Sequence, residues 1–251
     1  MVFSDKFNER RARFDQKKKI IIKKGISLIP NLFTLANAFF GFCSVILAAK
    51  GDLLAASYFI LLGALMDALD GRIARLVGAD SPIGVQLDSL SDAISFCLAP
   101  ASLVYFWQLK KMGFIGLFAS AIFLLSGLWR LAKFNIMHEE QAAFFSGVPT
   151  TIAGCFLATV LLNTKEVDQN IWFLIFMFCL VLLLAALMVS SIKFPTFKQQ
   201  LFKLHKNWYV AAGVLFFAVL AVLQLHKVLL LLLLLYFSSS IFTFFCKKKF
   251  R

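Results

Sequence analysis

The chain has 251 residues, 61% of them hydrophobic and 16% charged, and a formal net charge of +13. Soluble domains hold about half apolar residues, and here the excess comes in blocks of about 20, the length that crosses a hydrocarbon layer of roughly 30 Å. A water-soluble core is therefore excluded, and the basic residues, which sit in short loops and tails between the blocks, point to membrane orientation and anionic headgroups rather than to nucleic acid.

Residues 1–28 form a polar, basic N-terminal segment, with Lys17, Lys18, Lys19, Lys23 and Lys24 just ahead of the first apolar block. That block is too long for a signal-peptide core and lacks a small-residue cleavage pattern, so it reads as the first permanent span. Apolar segments follow at about 31–49, 53–72, 88–107, 112–131, 145–163, 170–191, 208–225 and 228–245. Backbone groups in lipid must be satisfied within the segment, so these are expected to be helices. Their short connections imply a compact bundle of antiparallel neighbours. The chain divides into the basic segment 1–28, a membrane core over 29–192, and a C-terminal helix pair with a basic tail over 193–251. Eight spans place both termini on one side, together with 21 of the 26 Lys and Arg residues. The positive-inside rule makes that side cytoplasmic. Six spans remain open if the last two blocks form a hairpin that does not cross.

Cys43, Cys97, Cys155, Cys179 and Cys246 lie in apolar segments without a C-x-x-C pair and read as packing residues. His138, His205 and His226 have no ligand spacing.

Charges inside spans are costly and usually functional, and the acidic ones concentrate. Asp67 and Asp70 (i, i+3) close the second span; Asp88 and Asp92 (i, i+4) open the third. Each pair shares a helix face, and the charge-derived topology puts all four at the cytoplasmic end. Four carboxylates in one small volume cannot all stay ionised without cations. All-oxygen ligation suits Mg²⁺ or Mn²⁺, and two such ions could neutralise a pyrophosphate. Gly71 removes a side chain beside Asp70, so a ligand could approach closely. Arg75, one turn on, could fork onto a phosphate. Helix capping is the competing reading. It suits Asp88 near a helix N-terminus, but not Asp67 and Asp70 at a C-terminal end, where the dipole disfavours acids.

Residues 67–92, DALDGRIARLVGADSPIGVQLDSLSD, resemble the signature of the CDP-alcohol phosphotransferase family: D-x2-D-G-x2-A-R, eight residues, then G-x3-D-x3-D. Asp67, Asp70, Gly71, Ala74, Arg75, Gly84, Asp88 and Asp92 fill every fixed position. The resemblance implies an all-α integral membrane protein with a six-helix core, here with two further C-terminal helices, about eight spans in all, and a homodimer. It also implies two divalent metals held by Asp67, Asp70, Asp88 and Asp92. Gly71, Ala74, Arg75 and Gly84 are expected on the CDP-lipid, and Asp92 is expected to be the base that deprotonates an incoming alcohol, which expels CMP.

The flanks resemble one branch, the bacterial-type phosphatidylserine synthases, over roughly residues 29–155. LDSLSDAISFCLAPA matches its LDSLADxxSFGxAPA; IPNLFTLANAFFGFCS (29–44) matches PNxxTxxNxxxGFxS; WRLAKFN (129–135) matches LRLARFN; FSGVPTT (145–151) matches FxGLPxP loosely. Departures are Cys97 for Gly, Lys133 for Arg and Thr151 for Pro. The branch implies CDP-diacylglycerol and L-serine as substrates, in a bacterial cytoplasmic membrane. Serine needs a cation near the carboxylates; Arg130, Lys133 and Asn135 end the fourth span on that face, although Arg130 and Lys133 equally suit snorkelling to the interface. Asn31 and Thr34 open the first span there and either bond the cytidine or cap the helix. Phosphorylated acceptors are disfavoured because AISFCLAP, after Asp92, offers no Lys or Arg. Choline stays open, since 30 phenylalanines could supply the aromatic faces it needs. A cation transporter would instead spread carboxylates over several helices at mid-membrane.

Overall fold

A computed structural model describes residues 28–77, 82–138, 147–164 and 171–190. The basic N-terminal segment, the expected spans at 208–225 and 228–245, the basic tail and Cys246 lie outside the described residues. Among the described residues seven α-helices follow in order: α1 (Leu28–Ala49), α2 (Leu53–Val77), α3 (Pro82–Asp92), α4 (Ala99–Trp107), α5 (Phe114–His138), α6 (Thr150–Asn163) and α7 (Ile171–Val189). A π-helical segment, Ala93–Leu98, joins α3 to α4 without a break, and a 3₁₀ turn, Leu109–Met112, precedes α5. Among the described residues five helices are long and apolar enough to cross a membrane: Pro30–Ala49, Leu53–Ala74, Ile83–Trp107, Phe114–Ile136 and Ile171–Val189. The protein is an all-α membrane protein.

Helix α1 shows why. Its buried face carries Thr34, Asn37, Gly41 and Ser44, while Leu32, Leu35, Phe39, Phe42 and Ile46 face outward. That is the reverse of a soluble amphipathic helix: lipid takes the apolar face, and the small and polar residues let neighbouring helices approach and bond. Helix α1 ends in a Schellman motif. The Asp52 N–H donates to the Leu47 carbonyl (3.0 Å), the Gly51 N–H donates to the Ala48 carbonyl (3.1 Å), and Gly51 takes φ +87°. Asp52 then caps α2, accepting the Ala55 N–H at 3.1 Å. The hairpin so formed is tied along its length by the Ser44 hydroxyl, which donates to the Ala56 carbonyl at 2.9 Å.

Four boundaries differ from the sequence reading. The third rod starts at Pro82, more than a turn before Asp88, because proline fits a first helical turn. Asp88 is therefore inside the helix and does not cap it. Likewise α2 runs on to Val77 and α1 starts at Leu28, so Asp67 and Asp70 lie within α2 and Asn31 within α1. The segment expected to begin at 145 becomes helical only at Thr150. Gly147 takes φ +84° against the C-terminal carbonyls of α7, the Val148 N–H donates to the Leu187 carbonyl at 3.2 Å, and Pro149 is extended at ψ 137°.

Helix α6 is too short to span alone, yet ten of its fourteen residues are buried. It touches α2, the π segment, α4, α5 and α7, so protein surrounds it rather than lipid. Gly154 permits this approach: a Cβ there would lie 3.0 Å from the Phe96 carbonyl oxygen and from Pro100. Cys97, where the branch pattern has glycine, is accommodated from across the bundle, its thiol filling the space that Gly127 leaves open. An apolar core of Phe123, Leu157, Met177, Val181 and Leu184 fills the far half between α5, α6 and α7.

Candidate active site

The hairpin α1–α2 and the rod α3–α4 meet around the acidic residues. Asp67, Asp70 and Asp88 each offer a carboxylate oxygen, and these oxygens lie within 4.8 Å of one another. Asp70 is only 5% exposed. Its Oδ2 accepts the Thr34 hydroxyl at 2.8 Å, and that hydroxyl is also 3.2 Å from the Pro30 carbonyl of its own helix. Asp88 Oδ1 is buried with no hydrogen-bond partner. A carboxylate oxygen stripped of water and given no donor is expensive, and like charges at this range repel. A cation among the three relieves both costs. The donor set is oxygen only, so the residues fit a hard divalent ion.

Asp92 stands beside this trio, within Coulombic reach of Asp67, Asp88 and Asp70, but it is not one of the three clustered oxygens. Its Oδ1 accepts the Asn37 side-chain amide at 3.3 Å. Asn37 is completely buried, and sequence reasoning did not single it out. The signal was present: Thr34, Asn37, Gly41 and Ser44 recur at three- and four-residue steps, a polar stripe along one face of an apolar helix.

The other expected residues distribute as follows. Gly71 faces open space, since a Cβ there would meet no atom within 4 Å; protein packing does not demand this glycine. Ala74 and Gly84 are half-buried in α2 and α3, and the Arg75 side chain lies outside the described residues. Asn31 is half-buried one turn before Thr34. Asn135 Oδ1 accepts the Ser89 hydroxyl at 2.9 Å, a bond from α5 to the residue that follows Asp88 in α3. Arg130, one turn earlier on α5, is half-buried and within Coulombic reach of Cys97, which is itself in reach of Asp92. Lys133 is exposed and is not drawn into the site.

An all-helical membrane bundle that gathers carboxylates from a D-x2-D pair and a D-x3-D pair matches the class implied by the signature. The chain belongs to the CDP-alcohol phosphatidyltransferase family, which matches residues 27–192. It is 37% identical over 178 residues to a CDP-diacylglycerol–serine O-phosphatidyltransferase of Helicobacter pylori, covering 68% of this chain and 73% of that one. The enzyme of the same name from Bacillus subtilis is 32% identical over 174 residues, covering 69% and 93%. An archaetidylserine synthase of Methanothermobacter thermautotrophicus is 32% identical over 169 residues, covering 66% and 69%.

Proposed function

We propose that this protein transfers the phosphatidyl group of CDP-diacylglycerol to the hydroxyl of L-serine, giving phosphatidylserine and CMP. The observation that carries the reaction class is the meeting of Asp67, Asp70 and Asp88 within 4.8 Å, with one oxygen of Asp88 left without a donor. The choice of serine is supported by the names of relatives from two bacteria and an archaeon, which share serine while the archaeal lipid differs.

Asp67, Asp70 and Asp88, with Asp92 at their edge, would hold Mg²⁺ or Mn²⁺, two ions by the family resemblance. The bound metal charge would neutralise the pyrophosphate and orient it for in-line displacement. Thr34 fixes the Asp70 carboxylate. The open space beside Gly71 leaves room for the nucleotide to lie against the α2 backbone, and Ala74, Arg75, Gly84 and Asn31 are the further residues proposed to bind the CDP-lipid. Asp92 takes the proton from the serine hydroxyl as its oxygen bonds to the β-phosphorus; the bond from that phosphorus to CMP breaks, and CMP leaves with the electron pair. Asn135, held by Ser89, and Arg130 on the same helix are the groups proposed to receive the serine headgroup; Lys133 would act at longer range.

The distribution of Lys and Arg supports a site on the cytoplasmic face, and the branch resemblance supports a bacterial inner membrane. The family resemblance supports a homodimer. The proposed division is basic segment 1–28, catalytic core 29–192 and C-terminal pair 193–251.

The test is purified protein with CDP-diacylglycerol, Mn²⁺ or Mg²⁺, and serine, choline, glycerol phosphate or inositol phosphate in turn. Serine-dependent CMP release with phosphatidylserine as lipid product is expected, and chelation should abolish it. A lipid product with choline but none with serine overturns the acceptor. CMP release that ignores chelation overturns the metal role of the trio.

A further inference from the structure

We propose that Asn37 is the positioning residue for Asp92, holding one oxygen of its carboxylate so that the other faces the substrate hydroxyl; this rests on the reading that Asp92 takes the proton.

A base must present its oxygen within about 2.6–3.2 Å of the proton it removes. Asp92 sits where α3 passes into the wider π segment, so the regular helix does not by itself fix its direction. Two bonds from one residue of α1 do so. The Asn37 amide donates to Asp92 Oδ1 at 3.3 Å, and the Asn37 backbone carbonyl accepts the Ser95 hydroxyl at 2.7 Å. Asp92 and Ser95 are three residues apart on the same rod, so the pair of bonds closes a ring. Such a ring sets both the distance of the rod from α1 and its rotation.

Asn37 is itself held. It is 0% exposed, as is Ser95. Its Oδ1 points to Gly63 on α2, where a Cβ would lie 2.9 Å away. Ser95 reaches the Asn37 carbonyl only because Gly41 has no side chain; a Cβ at 41 would lie 2.7 Å from Ser95 Cα. Gly41 and Gly63 thus form a slot, and Asn37 and Ser95 fill it.

The residue type also fits the task. A lysine or arginine at 37 would pair with the carboxylate and weaken it as a base. An aspartate would repel it. A neutral amide donates a hydrogen bond and keeps the charge of Asp92 available. The cost is visible, because Asn37 Oδ1 is buried without a hydrogen-bond partner. Such a group is normally paired, and its retention here fits a requirement imposed by Asp92 rather than by folding.

The experiment is a double-mutant cycle in the full-length membrane protein, read by steady-state kinetics. Asn37→Ala should lower kcat about 10- to 100-fold, the range expected when a reacting group is misplaced. KM for serine and for CDP-diacylglycerol, and the Mn²⁺ concentration for half-maximal rate, should each stay within about threefold, because the loss falls on the chemical step. Gly63→Ala should lower kcat in the wild-type background, since its methyl displaces the Asn37 carboxamide. It should add nothing in Asn37→Ala, where the atom it strikes is gone. A kcat for Asn37→Ala near wild type, a loss that follows metal dependence instead, or additive effects in the cycle each overturn the proposal. If Asn37→Ala does not fold, Asn37→Asp keeps the volume and removes the donor; full turnover in that variant overturns the proposal as well. Asp92→Asn separates the underlying reading. If it stays active, Asp92 is not the base; if it is inactive while the Asn37 variants turn over normally, only the positioning role falls.

Discussion

The two halves of the bundle are held together by different means. Around the carboxylates, α1, α2 and the π segment meet through glycine, serine, threonine and asparagine. Gly41 and Gly63 bring backbones close, and Thr34, Asn37, Ser44 and Ser95 supply bonds of 2.7–3.3 Å. In the other half, α5, α6 and α7 meet through Phe123, Leu157, Met177, Val181 and Leu184. In lipid, apolar side chains gain little by leaving one apolar surrounding for another, so this second region is stabilised mainly by packing. A directed bond fixes an atom's position, whereas packing fixes only volume. The chemistry lies in the half where positions are set.

The comparison breaks most sharply at Asp92. Asp92→Asn should cost about 10²- to 10⁴-fold in kcat, the usual share of a general base, while Mn²⁺ binding followed by electron paramagnetic resonance is only partly reduced. Next is Gly41→Ala, whose methyl would press on the Ser95 backbone as well as on its hydroxyl; turnover should fall at least as far as in Gly63→Ala. Thr34→Val removes the donor to Asp70 and should weaken the Mn²⁺ dependence of the rate about 10-fold, the lower range for a residue bonded to a metal ligand. The opposite half should respond in stability rather than in metal dependence. Leu157→Ala leaves a cavity among buried residues and should cost about 2 kcal/mol, the lower end of such truncations, read as a lower melting temperature in detergent with an unchanged Mn²⁺ titration. Met177→Leu conserves volume and should cost less than about 1.5 kcal/mol. A Leu157→Ala variant that weakened Mn²⁺ dependence would erase the distinction between the halves.

Much of this was legible in the sequence. Four aspartates in an apolar chain stand out, and their spacings alone put each pair on one helix face. The membrane class followed from block lengths alone. Helix limits were less legible. Pro82 lies in a stretch with Gly78 and Gly84 that suits a turn, although proline serves a first helical turn equally well. Residues 145–149 looked continuous with the apolar run behind them, and only the seating of Gly147 on the end of α7 shows why helix starts at Thr150. The π segment has no sequence signature, since AISFCL reads as ordinary helix. Asn37 was missed for a related reason: the polar stripe along α1 gives the face it lies on but not its partners. Its meaning lies in Gly63 and Ser95, residues on two other elements.

The π segment carries one more implication. Six residues wound more widely than an α-helix absorb about one extra residue, which is about 100° of azimuth along a regular helix. The rod that begins at Pro82 and ends at Trp107 is therefore two helices out of phase. Its first part aims Asp88 and Asp92 at α1 and α2, and its second part aims Leu103 and Val104 into the apolar interior. Length, more than composition, is what this stretch encodes. Shortening it by one residue would bring the two parts into phase and turn the carboxylates away from their partners, with every side chain of the signature still in place.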